Sequence, residues 1–306
     1  MKGAFSTPTR LIVLAAFYFV GGILGKESAF MSGNIALVWP PAGIALAAII
    51  LFGYRFWPGV AIGAVLFSLL NGTNLGVFAF STAIGSSIAA VVCAFLLQRI
   101  VNFRASMDRV RDVAGFVVLA CLLGTTLNAA FSVVGLCYEG AIPWDAMFSS
   151  MLIGWVPNAM AALSIAPAIL TWSASSHQKW EPKLIVEAAI CFIGLILGTL
   201  VSFYSWHIYG FQSYPMAYFP YPFLIWGALR FGQRGATAGT LLVSSLAILA
   251  LTQKRGPFVR DNEQDSLILI GSYLGVLAVT NMLLAAAATE RRRAEEARRL
   301  STERFR

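Results

Sequence analysis

Trp39-Pro40-Pro41-Ala42-Gly43 opens an apolar stretch that runs to Leu51-Phe52-Gly53-Tyr54-Arg55. A proline pair stands at one end and a Phe-Gly-x-Arg stop at the other. The layout returns late in the chain: Pro220 stands eleven residues before Phe231-Gly232-Gln233-Arg234, as Pro41 stands eleven before Phe52-Gly53-Tyr54-Arg55. A straight membrane span needs about 20 apolar residues. Each stretch is shorter than that and ends in a turn signal, so each reads as one arm of a tight hairpin. The filling carries no charge in the first and only Arg230, at its end, in the second, which places both in a bilayer.

Composition agrees. The 306 residues are 58% hydrophobic and 12% charged, with a mean hydropathy of +0.75. A soluble domain is about 25% charged. Long blocks without charge indicate a polytopic membrane protein, and continuous apolar runs indicate helices rather than the alternating strands of a barrel. No A-x-A-like site precedes a soluble stretch, so the first apolar segment reads as a retained span. Cys93, Cys121, Cys137 and Cys191 fall in or beside apolar runs without a C-x-x-C pair, and His177 and His207 have no metal-ligand spacing. No cofactor and no metal is expected.

Ten apolar segments stand out: 10–26, 35–52, 57–70, 75–98, 112–136, 147–172, 184–206, 216–229, 236–251 and 266–289. The count of crossings falls to eight if the short hairpins only dip into the bilayer, and the sidedness of the ends is the same either way. Charge sets the orientation. With the N-terminus inside, the inner loops hold eleven Lys and Arg, and the outer loops four. Both termini are therefore expected in the cytoplasm. Of the 14 carboxylates one is left inside a span, Glu187.

The first segment, Leu11 to Gly25, reads LIVLAAFYFVGGILG, and the seventh, Leu184 to Gly198, reads LIVEAAICFIGLILG; ten of the fifteen positions match. The hairpin motifs then match at an offset of 179 in place of 173, which needs only a longer outer loop. Copies six segments apart run the same way through the bilayer, a parallel repeat. The expected layout is repeat A over 8–100, linking helices over 101–175 and repeat B over 182–288. Gly43, Gly53, Arg55, Arg230, Gly232 and Arg234 read as packing and topology residues. Glycine permits the tight inner turn and arginine meets anionic headgroups.

These residues resemble the first of the MASE families of bacterial membrane-associated sensors. The matching pieces are V-W-P-P-A-G-I-A-L-A-A-I-I-L-F-G-Y-R-F-W-P-G at 38–59 and P-F-L-I-W-G-A-L-R-F-G-Q-R-G-A at 222–236. The resemblance implies an input domain over 1–288 in a bacterial inner membrane. It also implies that 289–306 is a cytoplasmic signalling helix leading to a PAS, diguanylate cyclase, phosphodiesterase or histidine-kinase domain. The chain itself holds no GGDEF or EAL string, no kinase box and no Walker loop, so it is not expected to be an enzyme. A parallel homodimer through the output domains, contact with membrane lipid and an unidentified small-molecule ligand are the implied partners; nucleic acid is not. One departure stands out. Where the family pattern carries an aspartate after Trp-x-Gly, the sixth segment reads Trp155-Val156-Pro157-Asn158.

Candidate ligand-binding residues are Trp39, Pro40, Pro41, Trp155, Asn158, Glu187, Trp206, Tyr218 and Trp226, with Tyr138, Trp144 and Tyr209 beside them. Aromatic density with few polar groups suits a small apolar or amphipathic ligand in a cleft between the two halves. Glu187 is either part of that site or a shallow carboxylate that snorkels or pairs with Lys183 at i−4. The alternative is a carrier built from parallel repeats; a membrane transferase ranks last, because His207 has no carboxylate close in sequence.

Overall fold

The computed structural model describes residues 6–30, 35–70, 76–175, 181–204 and 216–304. Nine helices carry the fold among the described residues: α1 (Thr7–Glu27), α2 (Pro40–Phe52), α3 (Trp57–Leu70), α4 (Val77–Val101), α5 (Val110–Tyr138), α6 (Met147–Ser173), α7 (Pro182–Tyr204), α8 (Tyr221–Thr252) and α9 (Glu263–Arg304). By length and composition seven are apolar enough to cross a membrane, with α8, which is broken at Gly232, taken as one run; α2 and α3 are shorter. The chain is a multi-pass helical membrane protein. A two-residue β ladder, Ala29–Phe30 against Ile35–Ala36, is the one exception to the all-helical expectation among the described residues.

The helix ends follow local chemistry. Ser6 caps α1 by accepting the Thr9 N–H at 3.5 Å, with Pro8 inside the first turn. Pro40 opens α2, where its missing N–H costs nothing. Gly53 ends α2 at φ 100 and ψ 166, and a single 3-10 turn, Tyr54–Phe56, leads into α3.

The segments expected at 216–229 and 236–251 are the two arms of α8, which breaks at Gly232 (φ 62, ψ −148). The chain folds back there: the position of a Gly235 side chain is blocked by the Gly227 carbonyl. In a straight helix residues eight apart are about 12 Å distant. The turn is thus one residue, which sequence reading spread over six.

The contacts of α1 with α2 correspond to those of α7 with α8. Gly21 faces Ile44 and Pro40, and Gly194 faces Phe223; Gly25 faces Trp39 and Pro40, and Gly198 faces Phe219. Adding 173 to the α1 residues and 179 to Ile44 and Pro40 gives their counterparts. Small residues on one helix admit the ring or branch of the other at close range.

α6 sits in the middle. One side packs with α2, α4, α5 and α9 through Leu46, Leu97, Phe116, Ala166, Leu170 and Met282. Its outer part joins Leu195, Phe203, Leu224, Val243, Leu251 and Leu274 of α7, α8 and α9. Many of these positions are alanine, including fully buried Ala47, Ala94, Ala161, Ala166 and Ala286. Apolar burial gives no net drive between helices in lipid, so close approach over small side chains supplies the packing instead.

Candidate functional site

The Trp-Pro-Pro-Ala-Gly stretch docks on the middle of α6. The Trp39 N–H donates to the Pro157 carbonyl at 3.0 Å. One turn on, Gly43 faces the Ala161 carbonyl, where a Cβ would stand at 2.6 Å. Only a bare backbone fits at that contact. The Trp39 ring meets Phe67 edge-on at 5.2 Å, and its side chain lies beside that of Tyr18.

From Tyr18 a chain of hydrogen bonds, buried as far as Asn128 and part-buried at Asn158, crosses the bundle. The Tyr18 hydroxyl donates to Ser86 Oγ at 3.1 Å, and Ser86 Oγ to Asn128 Oδ1 at 3.1 Å. Asn128 Nδ2 donates to Asn158 Oδ1 at 2.9 Å, and Asn158 Nδ2 to the Gly154 carbonyl at 2.8 Å. Asn158 is next to Pro157, which accepts the Trp39 N–H, so the chain leads back to Trp39 and gathers side chains of α1, α4, α5, α6 and the start of α2 into one polar ring. A cavity of about 30 Å³ adjoins it, lined by Ser86, Cys93, Thr125 and Asn128 among alanines. That is room for a water-sized molecule.

In hydrocarbon every such group must find a partner inside the protein. Interhelical bonds of this kind contribute only about 0.6 kcal/mol each on average. The ring is therefore weak as glue and strong as a register: each bond breaks if a helix shifts by a residue.

Two of the sequence candidates, Trp39 and Asn158, meet in this ring with Pro40 and Pro41 buried beside them. Sequence reading missed the three residues between them, Tyr18, Ser86 and Asn128. A signal was there: Asn128 is an amide inside an otherwise apolar and small-residue run, and Ser86 belongs to the Ser86-Ser87 pair in another.

The other candidates lie elsewhere. Glu187 pairs with Arg230, not with Lys183: Arg230 Nε stands 2.8 Å from both carboxylate oxygens, and Trp226 Nε1 donates to one at 3.2 Å. The reason is reach. One turn of helix puts Lys183 nearest the boundary, where water competes, while Arg230 approaches from the facing helix. With Arg230 51% and Glu187 25% exposed, the pair has the character of a surface salt bridge, worth about 0–1 kcal/mol. Tyr218 stacks edge-on with Tyr221, which meets Tyr273, whose hydroxyl donates to the Ala217 carbonyl at 2.5 Å. Trp155 packs on the apolar cluster around Leu37, Val156 and Leu251. Tyr138 and Trp144 pair at 5.2 Å, both exposed. Trp206 and Tyr209 lie outside the described residues. The candidates thus occupy several places rather than one cleft.

Arginines of the second hairpin have structural partners. Arg234 donates to the carbonyls of Thr171 (3.3 Å) and Ala174 (2.5 Å) at the C-terminus of α6 and lies over the Trp172 ring. A cation there satisfies carbonyls that a helix end leaves open. Gln233 Nε2 donates to the Met282 carbonyl of α9 at 2.8 Å, and Asn281 Nδ2 to the Ala236 carbonyl of α8 at 2.9 Å.

The loop between α4 and α5 is held by Asp112, fully buried, which accepts from Arg109 Nε at 2.7 Å and Nη2 at 2.6 Å and from the Arg104 N–H at 3.4 Å. The hydrogen bond to Asp112 raises the Arg109 pKa above its usual range, so this guanidinium stays charged. Among the described residues no group of three or more His, Cys, Asp or Glu side chains is placed to hold a metal.

No curated protein and no solved structure matches the chain. The family model MASE1 matches residues 10–292. The chain belongs to the MASE1 family, a family of membrane-associated sensor domains.

Proposed function

We propose that this chain detects a small-molecule or membrane signal and passes it to a C-terminal cytoplasmic effector, a diguanylate cyclase, phosphodiesterase or histidine kinase. The observation that carries the reading is the course of α9. Leu267, Ile270, Leu274, Leu277, Ala278, Met282, Ala285 and Ala286 are buried among the other helices, and from Glu290 onward the same helix is charged and exposed. Its 42 residues span about 63 Å at 1.5 Å each, twice the hydrocarbon thickness. A rigid rod anchored in the bundle transmits movement of its anchor.

The site best suited to the input is the Trp39–Tyr18–Ser86–Asn128–Asn158 ring, because a ligand or bilayer change that displaces one bond shifts five elements. In this reading the helices form two parallel copies with both termini in the cytoplasm of a bacterial inner membrane. Supporting it are the matched glycine contacts of α1–α2 and α7–α8 and the bends at Gly53 and Gly232. Effectors of these classes work as dimers, so two chains would stand side by side with lipid around them. The carrier alternative draws on the broken helix at Gly232, but Glu187, the one carboxylate inside a span, is already paired with Arg230.

The test uses the full-length protein in membranes and measures effector product. Asn128→Leu, Tyr18→Phe and an insertion of two glycines after Ala297 are compared with the unaltered chain. The expected outcome is a shift in output for the ring variants and loss of control with the insertion. Unchanged output in all three overturns the proposal.

A further inference from the structure

The cytoplasmic exit of α9 is gripped from two sides within one helical turn. On one side, Arg293 Nη2 meets Asp108 Oδ2 at 2.7 Å, and Glu290 Oε1 accepts the Val110 N–H at 3.3 Å. Glu290 and Arg293 are three residues apart, so they share one face of the helix. On the other side, Arg292 Nη2 donates to the Leu229 carbonyl at 2.6 Å. Just above, Thr289 stands against Gly232, 3.8 Å from where a Cβ would be.

Each contact fills a need left by another helix. Val110 is the first residue of α5, and its N-cap, Arg109, makes no side-chain capping bond. An uncapped helix start has open N–H groups and a positive dipole end, and a carboxylate satisfies both. Glu290 supplies that carboxylate from α9. Leu229 lies three residues before the break at Gly232, where helical carbonyls lose their partners, and Arg292 supplies the donor. The loop that presents Asp108 is stiff. Asp112 ties it down with three hydrogen bonds, Met107 is fully buried, and Asn102 and Met107 hold left-handed backbone at φ 51 and 52.

We infer that Glu290, Arg292 and Arg293 form a register latch: α9 leaves the membrane in one rotational phase because it caps α5 and the Gly232 bend at once, and a signal acts by displacing the 102–112 loop or that bend. A helix advances 100° per residue, so no shift of α9 by a single residue keeps the three contacts. The latch rests on the sensor reading above and specifies which residues convert a movement in the bundle into a movement of the rod. It also gives the two hairpins different jobs. In the first, Arg55 lies over Phe56. In the second, the bend touches α6 through Arg234 and α9 through Gln233 and Leu229.

The experiment is hydrogen exchange on the full-length protein in nanodiscs, read at residues 108–112 and 288–296, with effector product measured on the same samples. Asp108→Ala and Glu290→Ala are expected to speed exchange in both segments by about fivefold, the scale of one exposed ion pair or capping bond, and to shift output. The charge swap Asp108→Arg with Arg293→Asp is expected to restore both. Unchanged exchange in the single variants overturns the latch, and so does faster exchange with unchanged output. If even two glycines inserted after Ala297 leave output unaltered, α9 carries no control and the sensor reading itself has failed. The latch alone has failed if the insertion alters output and the single variants do not.

Discussion

Gly53 and Gly232 stand 179 residues apart in matching motifs, and both adopt backbone that other residues avoid, at φ 100, ψ 166 and φ 62, ψ −148. Space is not the constraint: a Cβ on Gly53 meets nothing within 4 Å, and one on Gly232 meets only Thr289 Oγ1 at 3.8 Å. The penalty of substitution is therefore conformational. Gly53→Ala and Gly232→Ala should each destabilise by about 1–3 kcal/mol, read as a lower unfolding midpoint in detergent. Gly154→Ala is the control, because that glycine is helical with open space around it. It should be neutral or stabilising by about 0.5–1 kcal/mol.

The polar ring gives a second prediction. Asn128→Leu removes the acceptor of Ser86 and the donor of Asn158 together. Interhelical polar bonds in membranes contribute about 0.6 kcal/mol each and rarely above 1.7. Loss of two should cost about 1–3 kcal/mol once the stranded Ser86 hydroxyl is counted. Tyr18→Phe removes one bond and should cost less than Asn128→Leu in the same unfolding assay. The reverse order would mean that the ring is not the connected unit drawn here.

Much of this architecture was legible in the residues. Charge-free runs marked the helices, the offset motifs marked two equivalent bends, and the Phe-Gly-x-Arg string named both left-handed glycines. What was not legible depends on which faces meet. Asn128 and Asn158 are 30 residues apart and bond only because α5 and α6 pack in one particular phase. Glu187 and Arg230 are 43 apart, and helical spacing pointed instead to Lys183, the neighbour on the same helix. The extent of the turn at Gly232 also escaped, because a one-residue fold leaves helix formers on both sides. Aromatic residues misled for another reason. Trp, Tyr and Phe serve as core filler, interface anchor and ligand contact alike, and composition does not separate Tyr218 in its ring cluster from Trp39 in the polar ring.

Glu187 supplies a third prediction. Its carboxylate is held by Arg230 and Trp226, and both charged side chains reach solvent or headgroups. Glu187→Gln keeps an acceptor for the Trp226 N–H and loses only the ion pair, so stability should fall by no more than about 1 kcal/mol. Output of the full-length protein should be unchanged. A large change in output with unchanged stability would return Glu187 to the list of ligand or proton sites.

The short helices test the topology. α2 has 13 residues and α3 has 14, so each is about 20 Å long at 1.5 Å per residue, against about 30 Å of hydrocarbon. Arg55 is exposed at the bend between them and cannot rest in the hydrocarbon, where a charge is costly. It must reach headgroups through local thinning of the bilayer or tilt. In the proposed orientation, read from charge asymmetry, that end lies with Arg99 and Arg299 on the cytoplasmic side and Lys254 on the other. Single cysteines at these exposed positions can be labelled with an impermeant maleimide, and the four native cysteines are buried and should react slowly. Lys254→Cys should label in intact cells, and Arg55→Cys, Arg99→Cys and Arg299→Cys only after the membrane is opened. If Arg55→Cys and Lys254→Cys label from the same side, the first hairpin does not carry its bend to the cytoplasmic face. The two copies would then not run parallel.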